Sequence, residues 1–454
     1  MTALAPPPPV LVSPPTGTSS LPIVELKRAE VQKDRKQIRL RRGSAKRAKS
    51  DCSFGNFVEH LSIDAWQFFH AAKKTELTTT FTTPQIDHRA LHFAGEHADF
   101  FEWNTGNLRR VDRSIFSLED FAEAGLAGRF GEAVAYLTMV KWGYVYWDRI
   151  AVLWERAAAK SGMTHPEQVR HAHAIATTLG VTRPDLEPDC AFEKATADVA
   201  LMESKGSFVH PINDDPSAKD DLRHALDQLN AWSGLISPTP GKSFAIGTYF
   251  RDASDTTGDP SLITFVDPPG QAGTIPPAVE FPNDWIRRGN YGAWLVGMGF
   301  PESGNALRRG VEVSLPTRQI PVVSLNGRSF AITIEGLVVK RNRRIRGPHP
   351  LLRIDPLYFL DELHFHGFPA RLLRDMGIAA IRVIGTELTT LRLVESSVLN
   401  ASNTSLLARE GQADDAQART ASDGFTGSVF PDGTLMGQIS PEMLMGTRME
   451  EFKL

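Results

Sequence analysis

Apolar and polar positions change their pattern several times along the chain. Residues 1 to about 25 carry Pro6 to Pro9 and then Pro14 and Pro15 among Ser and Thr, a composition that cannot bury a core, so a flexible leader is expected. Residues 51–115 alternate aromatic clusters, Trp66-Gln67-Phe68-Phe69 and Phe100-Phe101-Glu102-Trp103, with Thr-rich extended runs, which predicts a folded segment with no role assigned. From Ser117, which with Asp120 resembles a capping box, an apolar helix is predicted through Phe130 to Val140. Gly143 closes it, Tyr144 to Trp147 reads as a strand, and a long helical stretch follows over about 150–178.

Two short apolar runs, Cys190-Ala191-Phe192 and Val199-Ala200-Leu201-Met202, flank a brief polar link and predict a hairpin. Asp220 to Trp232 is amphipathic, with Leu222, Ala225, Leu226, Leu229 and Trp232 at helical spacing, and Ser243–Phe250 and Leu262–Val266 read as strands. Helix, strand, hairpin, helix, strand is an α/β plan with a central mixed sheet flanked by helices. Beyond residue 280 a helix near Trp285 to Met298 precedes a hairpin turning at Asn326-Gly327, and a helix-glycine-strand pattern spans Arg371 to Ile384. The last forty residues are polar and turn-rich. The expected division is a disordered leader (1–50), a folded extension (51–115), an α/β domain (116–279) and a C-terminal α+β domain of unassigned role (280–454).

Composition adds little to this plan. With 41% hydrophobic and 23% charged residues the chain has the make-up of a soluble globular protein. Cys52 and Cys190 fit neither a disulfide framework nor a zinc site, and no apolar run approaches the roughly 20 residues that span a bilayer, so a cytoplasmic protein with no membrane partner is expected. The net charge of -3 hides two basic clusters. Lys27 to Lys49 holds eleven Lys or Arg against two acids, and Lys340 to Arg346 packs five into seven positions, making Arg341, Arg343 and Arg344 candidate phosphate contacts.

The chemistry-bearing residues sit on the predicted hairpin. Glu-x-Lys occurs three times, at Glu25, Glu203 and Glu451, but only Glu203-Ser204-Lys205 ends an apolar strand behind a Pro-Asp turn, and strand alternation puts Glu203 and Lys205 on one face. A turn centred between Ala195 and Thr196 pairs Phe192 with Val199 and Pro188 with Glu203. Asp189 then lies diagonally beside Glu203, nearer than Asp185, at a separation of roughly 5 to 8 Å. Such carboxylates can share a divalent cation, with the lysine beside its water. Glu132 stands on a helix that is apolar almost all round and so needs a partner, which a metal would supply; the alternative is a first-turn glutamate favoured by the helix dipole.

Through Gly131-Glu132, Gly143-Tyr144, Pro188-Asp189 and Glu203-Ser204-Lys205-Gly206 the chain resembles the PD-(D/E)xK, or restriction-endonuclease-like, nucleases. Gln228-Leu229-Asn230-Ala231-Trp232 is similar to the Gln-x-x-x-Tyr feature of the RecB-like branch, with Trp in place of Tyr. The resemblance covers about residues 116–270. It implies a restriction-endonuclease-like core and a Mg²⁺- (or Mn²⁺-) dependent nuclease with DNA as the expected nucleic acid. Glu132, Asp189 and Glu203 would hold the metal, Lys205 would act on the water, and Gln228 would lie near the nucleic acid. The alternative is a nucleic-acid-binding or scaffolding protein that keeps this fold without turnover. Either fits a monomer or a homodimer. Gln228, taken alone, reads as an exposed helical residue. Gly297-Met298-Gly299 and His364-Phe365-His366 are set aside, the first because Pro301 follows it with no strand before, the second because a histidine pair without further ligands is usually structural.

Overall fold

The computed structural model describes residues 17–26, 59–77, 100–103, 105–112, 120–160, 162, 188–209, 218–233, 236–237, 239–255, 259–267, 279–280, 284–339, 351–353, 375, 377–402, 406 and 424–454. In chain order come β1 (Thr18–Glu25), β2 (Glu59–Asp64), α1 (Ala65–Leu77), β3 (Phe101–Glu102), β4 (Arg109–Arg110), α2 (Asp120–Lys141), β5 (Tyr144–Arg149) and α3 (Ile150–Lys160). They are followed by β6 (Cys190–Lys194), β7 (Val199–Val209), α4 (Ala218–Ser233), β8 (Ile236–Ser237), β9 (Lys242–Arg251), β10 (Leu262–Val266) and β11 (Val279–Glu280). The remainder is α5 (Trp285–Gly297), α6 (Pro301–Arg309), β12 (Thr317–Leu325), β13 (Arg328–Val339), β14 (Leu351–Arg353), β15 (Ile378–Glu387), α7 (Leu388–Leu399), β16 (Phe425–Val429), β17 (Thr434–Ile439), α8 (Pro441–Met445) and β18 (Arg448–Lys453).

The fold is mixed α/β with two large sheets. The first has seven strands in the order β2-β1-β10-β9-β7-β6-β5, antiparallel except for the β1–β10 and β7–β9 pairs. Strands β9 and β10 are buried on both faces nearly throughout, as a central position requires. The parallel β7–β9 pair is joined through α4, because parallel neighbours need a crossover. The second sheet is antiparallel, ordered β16-β17-β15-β13-β12-β18 with β14 on β13. Its β12–β13 hairpin turns at Asn326 and Gly327 with φ of 50° and 80°, the two positive angles a type I′ turn demands.

Helix α2 explains how the first sheet is closed. From Phe130 to Val140 every side chain but Glu132 is buried, since one side meets α1 and the other meets β7 and β9. The approach to β7 depends on two glycines. A Cβ on Gly131 would sit 2.6 Å from Gly206 Cα, and one on Gly206 would overlap the carbonyl oxygen of Ala127.

Three expectations are corrected here. Residues 18–25 belong to no disordered leader: they form β1, with Leu21 and Ile23 fully buried between β2 and β10. The last forty residues, read as turns, contain β16, β17 and β18, which bury Phe425, Leu435 and Ile439. The boundary drawn at 280 does not separate two cores, because one apolar cluster runs from Leu21 to Phe452, while a second lies on the far face of the second sheet. Buried polar contacts tie the same parts together: α1 sends Lys73 to Glu335 and Lys74 to Asp432, and α5 sends Arg287 to Glu193 at 2.8 Å. No helix among the described residues is long and apolar enough to cross a membrane.

Candidate metal and phosphate site

The β6–β7 hairpin sets the site, and its register differs by one residue from the expected one. Cys190 faces Met202, Phe192 faces Ala200 and Glu193 faces Val199. The cause is the turn: Ala197 N donates to Lys194 O at 2.9 Å, and Ala197 itself is left-handed at φ 66°. Residues 195–197 therefore make a three-residue connection, with an αL residue after a tight turn, where a two-residue link was expected. Continued by one step, this register sets Asp189 directly opposite Glu203, not diagonal to it.

The two acids are coupled through their backbones. Asp189 N donates to Glu203 Oε2 at 2.8 Å. In return, Ser204 N and Ser204 Oγ both donate to Asp189 Oδ2, at 2.9 and 2.8 Å. Lys205 Nζ reaches back to Glu203 Oε1 at 2.5 Å and donates to Gln228 Oε1 at 3.3 Å. Asp189, Glu203 and Lys205 are thus brought together, with Glu203 buried and the Lys205 side chain 30% exposed at the opening of the strand pair.

Gln228 is not the exposed residue its helix pattern suggested: it is buried on the inner face of α4, where it supports Lys205. Glu132 lies in the fourth turn of α2, which removes the helix-dipole explanation. Its partner is a residue the sequence reading missed, Arg149 at the end of β5, whose Nη2 is 2.5 Å from Glu132 Oε1. Cys190 Sγ is 3.8 Å from the same oxygen. Ser204 was missed as well, having been treated as the spacer of Glu-x-Lys. Arg149 had a signal of a kind, being a cation that follows Asp148 at the end of an aromatic-rich strand, but nothing in the sequence paired it with Glu132.

Charge crowding appears in the acidities. Burial, with a contribution from Asp189 and an offset from Lys205, pushes the Glu203 carboxyl up to about 8. Burial and Asp189 raise Glu132 to about 7, although Arg149 opposes them. Burial disfavours the charged forms of Lys205 and Arg149 too, yet Glu203 and Glu132 respectively leave both pKa values raised. The Cys190 thiol is buried and its pKa lies well above the ordinary value.

Hard carboxylate oxygens on neighbouring strands are a donor set that suits a small divalent cation. Asp189 could take that role, and Glu203 could do so if Lys205 and the Asp189 amide yield its two oxygens. Glu132 fits it only if Arg149 yields, and among the described residues no three histidine, cysteine or carboxylate side chains are gathered closely enough to hold an ion. Asp185, Arg341, Arg343, Arg344, the Lys27–Lys49 cluster and the His364/His366 pair lie outside the described residues. Comparison of the chain with protein-family models, with curated proteins and with solved structures yields no match.

Proposed function

We propose that this chain is a metal-dependent phosphodiester hydrolase acting on nucleic acid, with DNA as the first substrate to test. The observation that carries the reading is the placement of Asp189, just before β6, beside Glu203 and Lys205 in the middle of β7. The succession α2, β5, β6, β7, α4, β9 supports it, since it sets Glu132 on the leading helix, the Asp and Glu-x-Lys on the central hairpin, and Gln228 on the next helix. That is the arrangement implied by the restriction-endonuclease-like resemblance.

A bound Mg²⁺ or Mn²⁺ would supply charge to the phosphate and acidify its water. Asp189 and Glu203 would hold it, while Ser204 fixes the angle of the Asp189 carboxylate. Lys205, clamped between Glu203 and Gln228, presents an ammonium for the attacking water or the phosphate oxygen. The chain's own contribution is therefore a pre-positioned cation and two oriented carboxyl groups, held rigidly by a hairpin and a helix contact.

A second reading, a nucleic-acid-binding module without turnover, is favoured by one observation: Glu132 is engaged by Arg149 and not offered to a cation. Incubation of the full chain with plasmid and with linear DNA, in Mg²⁺, Mn²⁺ or EDTA, separates the two. Chelator-sensitive cleavage lost in Glu203→Gln supports the hydrolase. DNA binding by a folded protein with no cleavage in either metal supports the binding module.

A further inference from the structure

Arg149, whose side chain is 16% exposed, has fewer close hydrogen-bond acceptors than some fully buried arginines of the molecule. Arg287, for instance, donates to Glu193 Oε1, Leu406 O and Ala195 O, at 2.8, 2.8 and 3.1 Å, and is satisfied on every side that these groups face. Arg149 makes one short contact, to Glu132 Oε1; its other acceptor, Thr75 O, is 3.5 Å away. Its Nε is buried and has no hydrogen-bond partner among the described residues, a state it shares with the Nε of Arg156. A buried donor left unmet costs about 1–3 kcal/mol, a cost that a further acceptor would remove. The backbone also ties this residue to the site, since Arg149 faces Cys190 across the β5–β6 pair and Ile150 N donates to Asp189 O at 3.2 Å.

A guanidinium in this position and a divalent cation would compete for the same Glu132 oxygen. A phosphate diester offers the guanidinium another partner, one whose paired oxygens match its donor fork and would also meet its unused N–H. We propose that Arg149 is a lock on the site: in the free chain it withholds Glu132 from the cation, and the phosphate of a nucleic-acid substrate draws it away, so that Glu132 joins Asp189 and Glu203 only in the substrate complex. The inference rests on the hydrolase reading above.

The test is Mn²⁺ affinity of the full chain, measured by electron paramagnetic resonance with and without a short phosphorothioate oligonucleotide, the free oligonucleotide serving as control. Without oligonucleotide, Arg149→Gln should bind Mn²⁺ about tenfold more tightly than wild type, and wild type should make a similar gain when the oligonucleotide is added. The Arg149→Gln/Glu132→Gln double variant should lose the gain of Arg149→Gln. Should Arg149→Gln fail to fold, Arg149→Lys, whose ammonium offers no fork to Glu132, must show the same increase in a smaller amount. Equal affinities for wild type and the folded Arg149 variants, with binding still lost in Glu203→Gln, would overturn the lock and leave the hydrolase reading standing. Mn²⁺ binding indifferent to Glu203→Gln in every background would overturn both.

Discussion

Asp189 and Glu203 face each other across the β6–β7 hairpin, the backbone amide of the first donating to the carboxylate of the second at 2.8 Å while Asp189 Oδ2 takes two hydrogen bonds from Ser204. Each acid is thereby oriented by the other's strand. On the proposed function, Asp189→Ala abolishes metal-dependent cleavage, and it costs stability as well, because Ser204 N loses its acceptor, an effect of about 1–3 kcal/mol. Ser204→Ala removes only one of the two donors and should lower turnover several-fold with little change in melting. Parallel assays of cleavage and thermal unfolding check both; an active Asp189→Ala would require rebuilding the site around another acid.

Lys205 is held by Glu203 Oε1 and Gln228 Oε1, so its two supports can be removed independently. Lys205→Met should depress turnover strongly while leaving Mn²⁺ binding intact or stronger, since the ammonium competes for the Glu203 oxygen. Gln228→Leu should act through Lys205: a fall in kcat with KM little changed, and a shifted pH profile. A Gln228 variant whose kinetics match wild type at every pH would show that the amide only fills space.

The glycine contact between α2 and β7 predicts a sharp position dependence. Gly206→Ala has no room beside the Ala127 carbonyl, and backbone yields less readily than side chain, so a loss of about 1–3 kcal/mol or more is expected. Gly128→Ala, in the same helix with nothing within 4 Å of the new methyl, should instead stabilise by about 0.5–1 kcal/mol. Denaturant midpoints of the two variants, measured side by side, test whether this approach controls the separation of Glu132 from the hairpin.

The pH dependence of stability follows from the raised carboxyls. Glu203 at about 8 and Glu132 at about 7 both lie above their ordinary value of 4.5. Between those limits the folded chain binds more protons than the unfolded one, so the contribution of these groups falls as pH rises from about 4.5 through 8. Glu203→Gln should flatten that decline. Unfolding free energies at pH 5, 6, 7 and 8 provide the check, and an unchanged slope in the variant would place the effect elsewhere.

The buried Lys74–Asp432 pair carries a prediction about cooperativity. Despite burial, Lys74 together with Asn290 and Thr434 holds the Asp432 carboxyl far below its usual range. Removing one partner strands the other charge, at a cost of about 3–5 kcal/mol, so Asp432→Ala should lower the stability of both sheets together. Calorimetry should show one transition before and after the substitution; two separated transitions in the wild-type chain would contradict a shared core.

Much of the site was legible in the sequence because its elements are encoded locally. Helical spacing marked α2 and α4, apolar runs marked β5, β6, β7 and β9, and Asn326-Gly327 marked its own turn. The period of two along a strand was enough to put Glu203 and Lys205 on one face. What tertiary structure decided were the pairings between distant residues. The register turned on Ala197 adopting a left-handed backbone, which its side chain does not announce. The partner of Glu132 lies 17 positions away on strand β5, and which cation it meets depends on where α2 comes to rest against the sheet. Gln228 became buried because α4 turned that face toward Lys205, and residues 18–25, in a Pro- and Ser-rich context, became an inner strand, next to the edge, because β2 and β10 offered partners on its two sides. Local pattern fixes periodicity; the identity of a neighbour across a sheet or under a helix is settled only when the whole surface is packed.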